Sequence, residues 1–272
     1  MGRGTSLSGR TVLVTGGGSG LGRRMAIGAA RRGARVVIWD VSAESGSSVR
    51  DEIRAAGNLA EAQTVNVADK DAVKQAAAAA GQVDVLVNNA GVVSGRQLLD
   101  ATDEDIRRTF DVNVLALYWV TRAFMPGMVD RGRGTVVTVA SAAGLVGVAK
   151  QTDYSASKFA AFGFNESLRA ELRNGRTGVS TLVVCPYYID TGMFDGVRTR
   201  FPRLLPILKE EEVAAGILDA IESGRQKLVL PPLVNLVPAA RMLPVGAFDR
   251  LMDVLGINRT MDQFTGRARD AL

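Results

Sequence analysis

Tyr154 and Lys158 stand four residues apart in Tyr154-Ser155-Ala156-Ser157-Lys158, a spacing that puts both side chains on one face of a helix. A free phenol titrates near pH ~10, too high for a base at neutral pH, whereas a neighbouring ammonium stabilises the phenolate. Lowering the phenol by about three units requires roughly 4 kcal/mol of differential stabilisation, which close charges in a partly dry site can supply. On its own such a pair is common on helix surfaces. Here Ser141 leaves the end of a β-branched run a short way upstream, so a hydroxyl and the pair can meet. The chain has no histidine, which removes a Ser-His-Asp triad and histidine metal sites. Proton chemistry therefore falls to Tyr, Lys, Ser, Asp or Glu, and no metal site is expected.

A second chemical signal is Thr15-Gly16-Gly17-Gly18-Ser19-Gly20-Leu21-Gly22, lying between a strand pattern and a helix pattern. Glycines in that place let the backbone turn tightly and approach a pyrophosphate, which then sits on the helix N-terminus. Asp40 closes the next strand, where a carboxylate accepts hydrogen bonds from ribose hydroxyls and repels a 2′-phosphate. NAD is thus favoured over NADP. The nearest cations, Arg23 and Arg24, fall within the helix and are expected to face away from the ribose.

These groups need a scaffold, and the chain alternates short β-branched runs with longer helical stretches. Strands are predicted at residues 11–15, 35–39, 62–65, 83–87, 135–140, 180–184 and 227–230. Helices are predicted after the glycine loop, up to residue 56, and over 69–80, 102–131 (with a break near Pro126), 154–173 and 210–223. Regular alternation means parallel strands joined by right-handed crossovers: an α/β, doubly wound, Rossmann-type sheet of about seven strands in a three-layer sandwich. Residues 1–272 read as one dinucleotide-binding oxidoreductase domain. Within it, 187–209 form a substrate lid and 228–272 an apolar, proline-broken extension.

The glycine loop, Asn88-Asn89-Ala90-Gly91, Asn113, Ser141, Tyr154 and Lys158 together resemble, in order and spacing, the short-chain dehydrogenase/reductase family. The likeness covers about residues 7–223. It implies that Tyr154 exchanges a proton with the substrate oxygen and that Ser141 hydrogen-bonds the same oxygen. Lys158 would hold the nicotinamide ribose and depress the Tyr154 pKa, while Asn113 would hold a water linking Lys158 to solvent. For the cofactor it implies Gly16, Gly18, Ser19, Gly20, Leu21, Gly22, Asp40, Asn66, Val67, Asn88, Ala90, Gly91, Tyr154, Lys158, Pro186, Ile189 and Thr191. Two departures stand out: Asn66 where the family often has Asp, and Tyr187 where it often has Gly.

The segments Pro186–Phe194, Thr199–Pro202 and Leu255–Asp262 resemble the retinol and 17β-hydroxysteroid dehydrogenase subgroup, implying a lipophilic alcohol or carbonyl substrate. Ser141, Tyr154, Tyr187, Tyr188, Met193 and Phe194 are the expected substrate contacts. A homodimer or homotetramer packed through the 102–131 and 154–173 helices is implied as well. The net charge of +5 is scattered, with no basic arm or aromatic-basic stripe, so nucleic acid is not expected as a partner. One cysteine and no recognisable signal peptide fit a reducing, cytoplasmic setting. The apolar tail with Arg241 and Arg250 reads either as a core edge or subunit contact, or as a surface lying peripherally on a bilayer. Two other readings of the whole chain are a non-catalytic NAD(P) sensor and a lipid-surface scaffold.

Overall fold

The computed structural model describes residues 4–266. Its centre is a parallel sheet of seven strands in the order β3-β2-β1-β4-β5-β6-β7. The strands are β1 (Thr11–Thr15), β2 (Arg35–Asp40), β3 (Ala60–Thr64), β4 (Val85–Asn88), β5 (Gly134–Val139), β6 (Val179–Pro186) and β7 (Lys227–Leu230). The unbroken Val, Ile and Leu runs of β1, β2 and β4 are buried throughout their centres, as a sheet covered on both faces demands. Strand order reverses between β1 and β4, so a crevice opens at their C-terminal ends, where the glycine loop and Asn88–Gly91 emerge.

On one face lie α1 (Gly20–Arg31), α2 (Ala43–Ala55) and α7 (Glu210–Glu222). Met25, Val49, Ile53, Ile217 and Leu218 carry that contact into the sheet's Val12, Val14 and Ile38. On the other lie α3 (Lys70–Ala80), α4 (Asp103–Phe110), α5 (Ala116–Asp130) and α6 (Thr152–Asn174). There Val73, Val120, Phe124, Met128 and Leu172 bury Leu13, Trp39 and Leu86. The helical run Asp103–Asp130 is long and apolar enough to cross a membrane by length and composition. Val120, Phe124 and Met128 nevertheless pack inward as in a core helix.

Three expectations need correction. The third strand begins at Ala60 instead of residue 62, because β3 is a half-exposed edge strand paired only with β2 and lacks an alternating apolar signal. The break expected at Pro126 does not occur; α5 runs through it. The irregularity lies upstream, where Asp111–Leu115 form a π-helical turn between α4 and α5. The proline-rich tail is not irregular either: after a 3-10 turn (Pro232–Leu236) come α8 (Val237–Ala240) and α9 (Val245–Leu255). Pro238 sits in the first turn of α8 and Pro244 at the N-cap of α9, places where a missing N–H costs no hydrogen bond.

Candidate active site

The glycine loop is tied to β4 through one hydroxyl and one amide. Thr15 Oγ1 donates to the Val87 carbonyl and accepts from the backbone of Asn89 and Ala90, at 3.0 and 3.1 Å. Asn89 Nδ2 returns two bonds, to the carbonyls of Thr15 (2.9 Å) and Gly16 (3.2 Å). Gly22 lets α1 close onto this loop: a Cβ there would stand 2.0 Å from the Gly16 carbonyl oxygen. Behind the loop, Asp40 accepts the Gly18 N–H at 2.8 Å and the Ser42 N–H at 3.0 Å, which fixes its carboxylate beside the start of α1. Arg23 is paired with Glu52, and Arg24 with Glu210 and Glu211, so both cations are turned away from Asp40.

A cavity of about 1160 Å³ runs from this loop along the strand ends to the lid and tail. Gly16, Ser19, Gly20, Leu21, Gly22, Asp40, Asn66, Val67, Ala90, Gly91, Pro186, Ile189 and Thr191 line it, as do Ser141, Tyr154, Lys158, Tyr187, Tyr188, Met193 and Phe194. Tight-turning glycines, a helix N-terminus and a fixed carboxylate along one groove suit an adenosine diphosphate moiety. Two expected cofactor residues stand off this wall. Asn88 points into the core and donates to Thr121 Oγ1 at 3.0 Å, because strand alternation turns it away while Asn89 faces the loop. Gly18 gives its N–H to Asp40, and a Cβ on it would press 2.8 Å from that carboxylate.

The candidate catalytic groups sit where β5, α6 and the π turn meet. Ser141 follows β5; its hydroxyl donates to the Pro186 carbonyl at 3.4 Å and accepts the Ala143 N–H at 3.1 Å, and it stands close enough to the Tyr154 phenol to favour the phenolate. Lys158 lies below the Tyr154 ring, with Nζ 5.6 Å from the ring centroid and donating to the Val139 carbonyl at 3.0 Å. Asn113, from the π turn, does not line the cavity. Its Nδ2 donates to the Val92 carbonyl (2.9 Å) and Ser157 Oγ (3.0 Å), and its Oδ1 accepts the Val92 N–H (2.8 Å). Ser157 then donates to the Tyr154 carbonyl at 2.7 Å. One asparagine thus braces both the β4 loop and the start of α6.

Burial dominates the electrostatics. It holds the Tyr154 phenol above the ordinary tyrosine range; the Ser141 hydroxyl pulls it down and Tyr188 pushes it up. Burial also lowers Lys158 to about 8. For the phenol the cost of desolvating the phenolate is the largest effect, and Lys158 is itself held back from its charged form by the same burial.

The far half of the cavity is apolar. Leu205, Val234, Met252 and Ile257 from the lid and the tail join Tyr187 and Phe194 around it. Tyr188 is pinned by Gln151 (3.1 Å) and Thr260 (2.8 Å), whereas the buried Tyr187 hydroxyl has no hydrogen-bond partner among the described residues. Sequence reasoning missed Ser157 and the tail's part in this wall, and left Asn89 without a separate role. Asn89 could have been reached from strand alternation, and the tail from the 3.6-residue pattern Phe248, Leu251, Met252, Leu255. Ser157 carried no signal, since its role depends on the π turn.

Residues 10–200 match the family model described as short chain dehydrogenase. Epidermal retinol dehydrogenase 2 of Mus musculus is 39% identical over 97% of this chain and 88% of its own length. Human 17-beta-hydroxysteroid dehydrogenase 13 is 36% identical over 85% of this chain and 78% of its own. A solved short chain dehydrogenase/reductase from Burkholderia phymatum, in complex with NAD, superposes with a TM-score of 0.80 at 28% identity, covering 88% of this chain and 95% of that one.

Proposed function

We propose, for a chain that belongs to the short chain dehydrogenase family, that Tyr154 moves the proton while a hydride passes reversibly between NAD(H) and the alcohol or carbonyl carbon of a lipophilic substrate. The carrying observation is the meeting of Ser141, Tyr154 and Lys158 at the waist of one cavity, whose near end is glycine loop and carboxylate and whose far end is apolar. The chain is an NAD(P)-dependent alcohol dehydrogenase/ketoreductase. Its relatives' names place retinol and 17β-hydroxysteroids among the substrate types that suit such an apolar half.

The bound dinucleotide supplies the hydride donor or acceptor and, when oxidised, a positive charge. The chain's own residues do the rest. Ser141 orients the substrate oxygen beside the Tyr154 hydroxyl, and Tyr154 gives or takes the proton. A phenol held high by burial is protonated at neutral pH and ready to act as the acid in carbonyl reduction. In the oxidation direction the phenolate would rely on the Lys158 ammonium beside the ring and on the positive charge a bound oxidised dinucleotide would supply. Asn113 Oδ1 and Lys158 Nζ flank Gly91, where a Cβ would lie 3.3 and 3.5 Å from them; a water between the two would link Lys158 to solvent. Tyr187 gives the apolar half its ring, while its hydroxyl is turned away from the cavity space and has no hydrogen-bond partner among the described residues.

Asp40, held by Gly18 and Ser42, supports NAD over NADP, the nearby Arg23 and Arg24 being paired with glutamates. Exposed Tyr118 and Val129 on α5 and Phe159 on α6, with Leu115 in the π turn just before α5, support a homodimer or homotetramer through those helices, which equilibrium sedimentation would read. The cavity's mouth supports a second element of the proposal, peripheral contact with a membrane, because Leu204 and Leu236 both line the cavity and face solvent. The deciding experiment is a panel of alcohols with NAD and NADP, followed by absorbance of the reduced cofactor. Long or ring-bearing alcohols with NAD should give the higher kcat/KM. Asp40→Ser should move the cofactor ratio toward NADP by about tenfold or more, roughly 1.4 kcal/mol. Turnover confined to short hydrophilic alcohols would overturn the substrate class.

A further inference from the structure

Outside the main cores lies a small apolar cluster made only of lid and terminal residues: buried Tyr188, Val197 and Met261, flanked by Tyr187, Phe194 and Phe264. Its centre is Phe194, whose ring stands edge-on to Tyr154 (5.7 Å, 80°) and to Tyr188 (5.1 Å, 75°) and tilted against Phe264 (6.4 Å, 57°). Phe194 lines the cavity; Phe264 does not, and stands behind it.

Phe264 is itself firmly seated. Gly95 lies in the left-handed region at φ +67°, and a Cβ there would fall 2.0 Å from Phe264 Cε1, so only glycine leaves room for the ring. The segment carrying Phe264 is clamped to the lid through its backbone. Asp195 accepts the N–H of Thr265 (2.9 Å) and of Gly266 (3.2 Å), and the Arg198 N–H reaches the Thr260 carbonyl (3.2 Å). Lys150 Nζ adds an ion pair to Asp262 at 2.8 Å. At Gly196 (φ +83°) a Cβ would lie 1.9 Å from the Gln263 carbonyl oxygen, so lid and terminal segment meet at main-chain distance.

The geometry points to Phe264 as a positioning residue: seated on Gly95, it holds Phe194 edge-on to the Tyr154 ring and so selects substrates by their width beside the reacting carbon. The assignment rests on Tyr154 as the proton carrier. Without the Phe264 ring, Phe194 has a void on one side and can swing from Tyr154, widening the cavity next to the phenol. A straight-chain primary alcohol then loses its side wall, while a ring-borne secondary alcohol gains space.

The test is kcat/KM for a straight-chain primary alcohol and for a hydroxysteroid, measured with NAD on the full chain. In Phe264→Ala the ratio of the first to the second should fall about fivefold or more, carried by KM with kcat moving less. Phe264→Leu should fall between that variant and the wild type. Gly95→Ala should shift the ratio the same way from the opposite side, since its Cβ displaces the ring. The double variant should be no worse than the stronger single one, because both remove the same contact. Hydrogen exchange at the amides of 194–198 should quicken in each variant, with α5 unchanged. An unchanged ratio, or both alcohols falling in step, would overturn the inference. Should Phe264→Ala not fold, Phe264→Leu and Gly95→Ala decide it. Tyr154→Phe silences both alcohols at once, so failure of the underlying assignment looks different. If the wild type turned over neither, exchange at 194–198 would still decide whether Phe264 holds the lid.

Discussion

The two ends of the cavity are built on different terms. The end that receives the dinucleotide is assembled from strand ends of the sheet itself: Thr15 of β1, Asp40 of β2 and the Asn89–Gly91 loop after β4 are cross-linked by short main-chain and side-chain bonds. The substrate end is assembled from segments beyond the sheet, the lid and the tail, which bury Tyr188, Val197 and Met261 largely against one another. The first is as rigid as the core that carries it. The second can be reshaped without disturbing that core. Chemistry common to many substrates belongs on the first, and discrimination among them on the second. Tyr154 stands on the boundary, with Ser141 on one side and Phe194 on the other.

The sharpest break of this division is at that boundary. Tyr154→Phe keeps the ring that touches Phe194 and removes only the hydroxyl, so the fold and NAD affinity should survive. Turnover of every alcohol should drop by roughly three orders of magnitude or more, because a group needed in the transition state is gone. Single-turnover kinetics beside NAD titration would show it. A variant that kept most of its kcat would place proton transfer elsewhere.

The same division explains which parts of the site are legible in the sequence. The strand ends were legible because alternating apolar runs stop where glycines, Asp40 and Ser141 begin, and the sheet turns such stops into a single crevice. That Asn88 turns into the core and Gly18 toward Asp40 is not written in their places beside the loop, since nearness in the chain does not say which way a residue faces. Asn113 was legible in position, whereas its bracing of Ser157 follows from a π turn that no local pattern encodes. The tail's four prolines at Pro231, Pro232, Pro238 and Pro244 suggest a broken segment. They fall instead at helix starts, and the helices they open close over the cavity. Contacts at such sequence distance, as between Lys150 and Asp262, leave no trace in local composition.

Rigidity at the chemical end comes with a stability cost that pH can expose. Lys158 is fully enclosed and its pKa is lowered to about 8 by burial, so folding opposes its charge. Below that value the ammonium is charged in both folded and unfolded chains and the penalty is constant. Between about 8 and the ordinary lysine value of 10.5 the unfolded chain keeps a proton the folded chain has lost, and stability rises with pH. Lys158→Met lacks both penalty and rise. At pH 7 it should exceed the wild type by up to about 3 kcal/mol in urea unfolding without cofactor, the gap closing as pH climbs, while its turnover is lost. A gap that did not narrow above pH ~8 would show that the ammonium is better solvated than its surroundings indicate.

The smallest expected effect lies at the outer rim of the substrate end, and it separates the two ends by the solvent each meets. Leu236, Met242 and Val245 are 61, 87 and 77% exposed along the tail, and Phe201, Leu204 and Ile207 are exposed on the lid. Arg241 and Arg250 flank the tail patch and Arg203 stands in the lid, also exposed. An apolar rim with basic neighbours fits the boundary of an anionic bilayer, where each basic residue near the surface contributes about 1 kcal/mol and buried side chains add their own transfer term. The cavity is lined as well by the charged Asp103, Glu104, Arg107, Arg108 and Asp111 of α4 and the π turn. The chain should therefore co-sediment weakly with phosphatidylserine-containing vesicles, less with neutral ones, and less again as salt rises. Met242→Glu with Val245→Glu should abolish sedimentation and leave kcat for a water-soluble alcohol unchanged, since neither side chain lines the cavity. If the wild type stays in the supernatant at low salt, the rim belongs to another protein surface, and the two ends differ in what they bind but not in the phase they face.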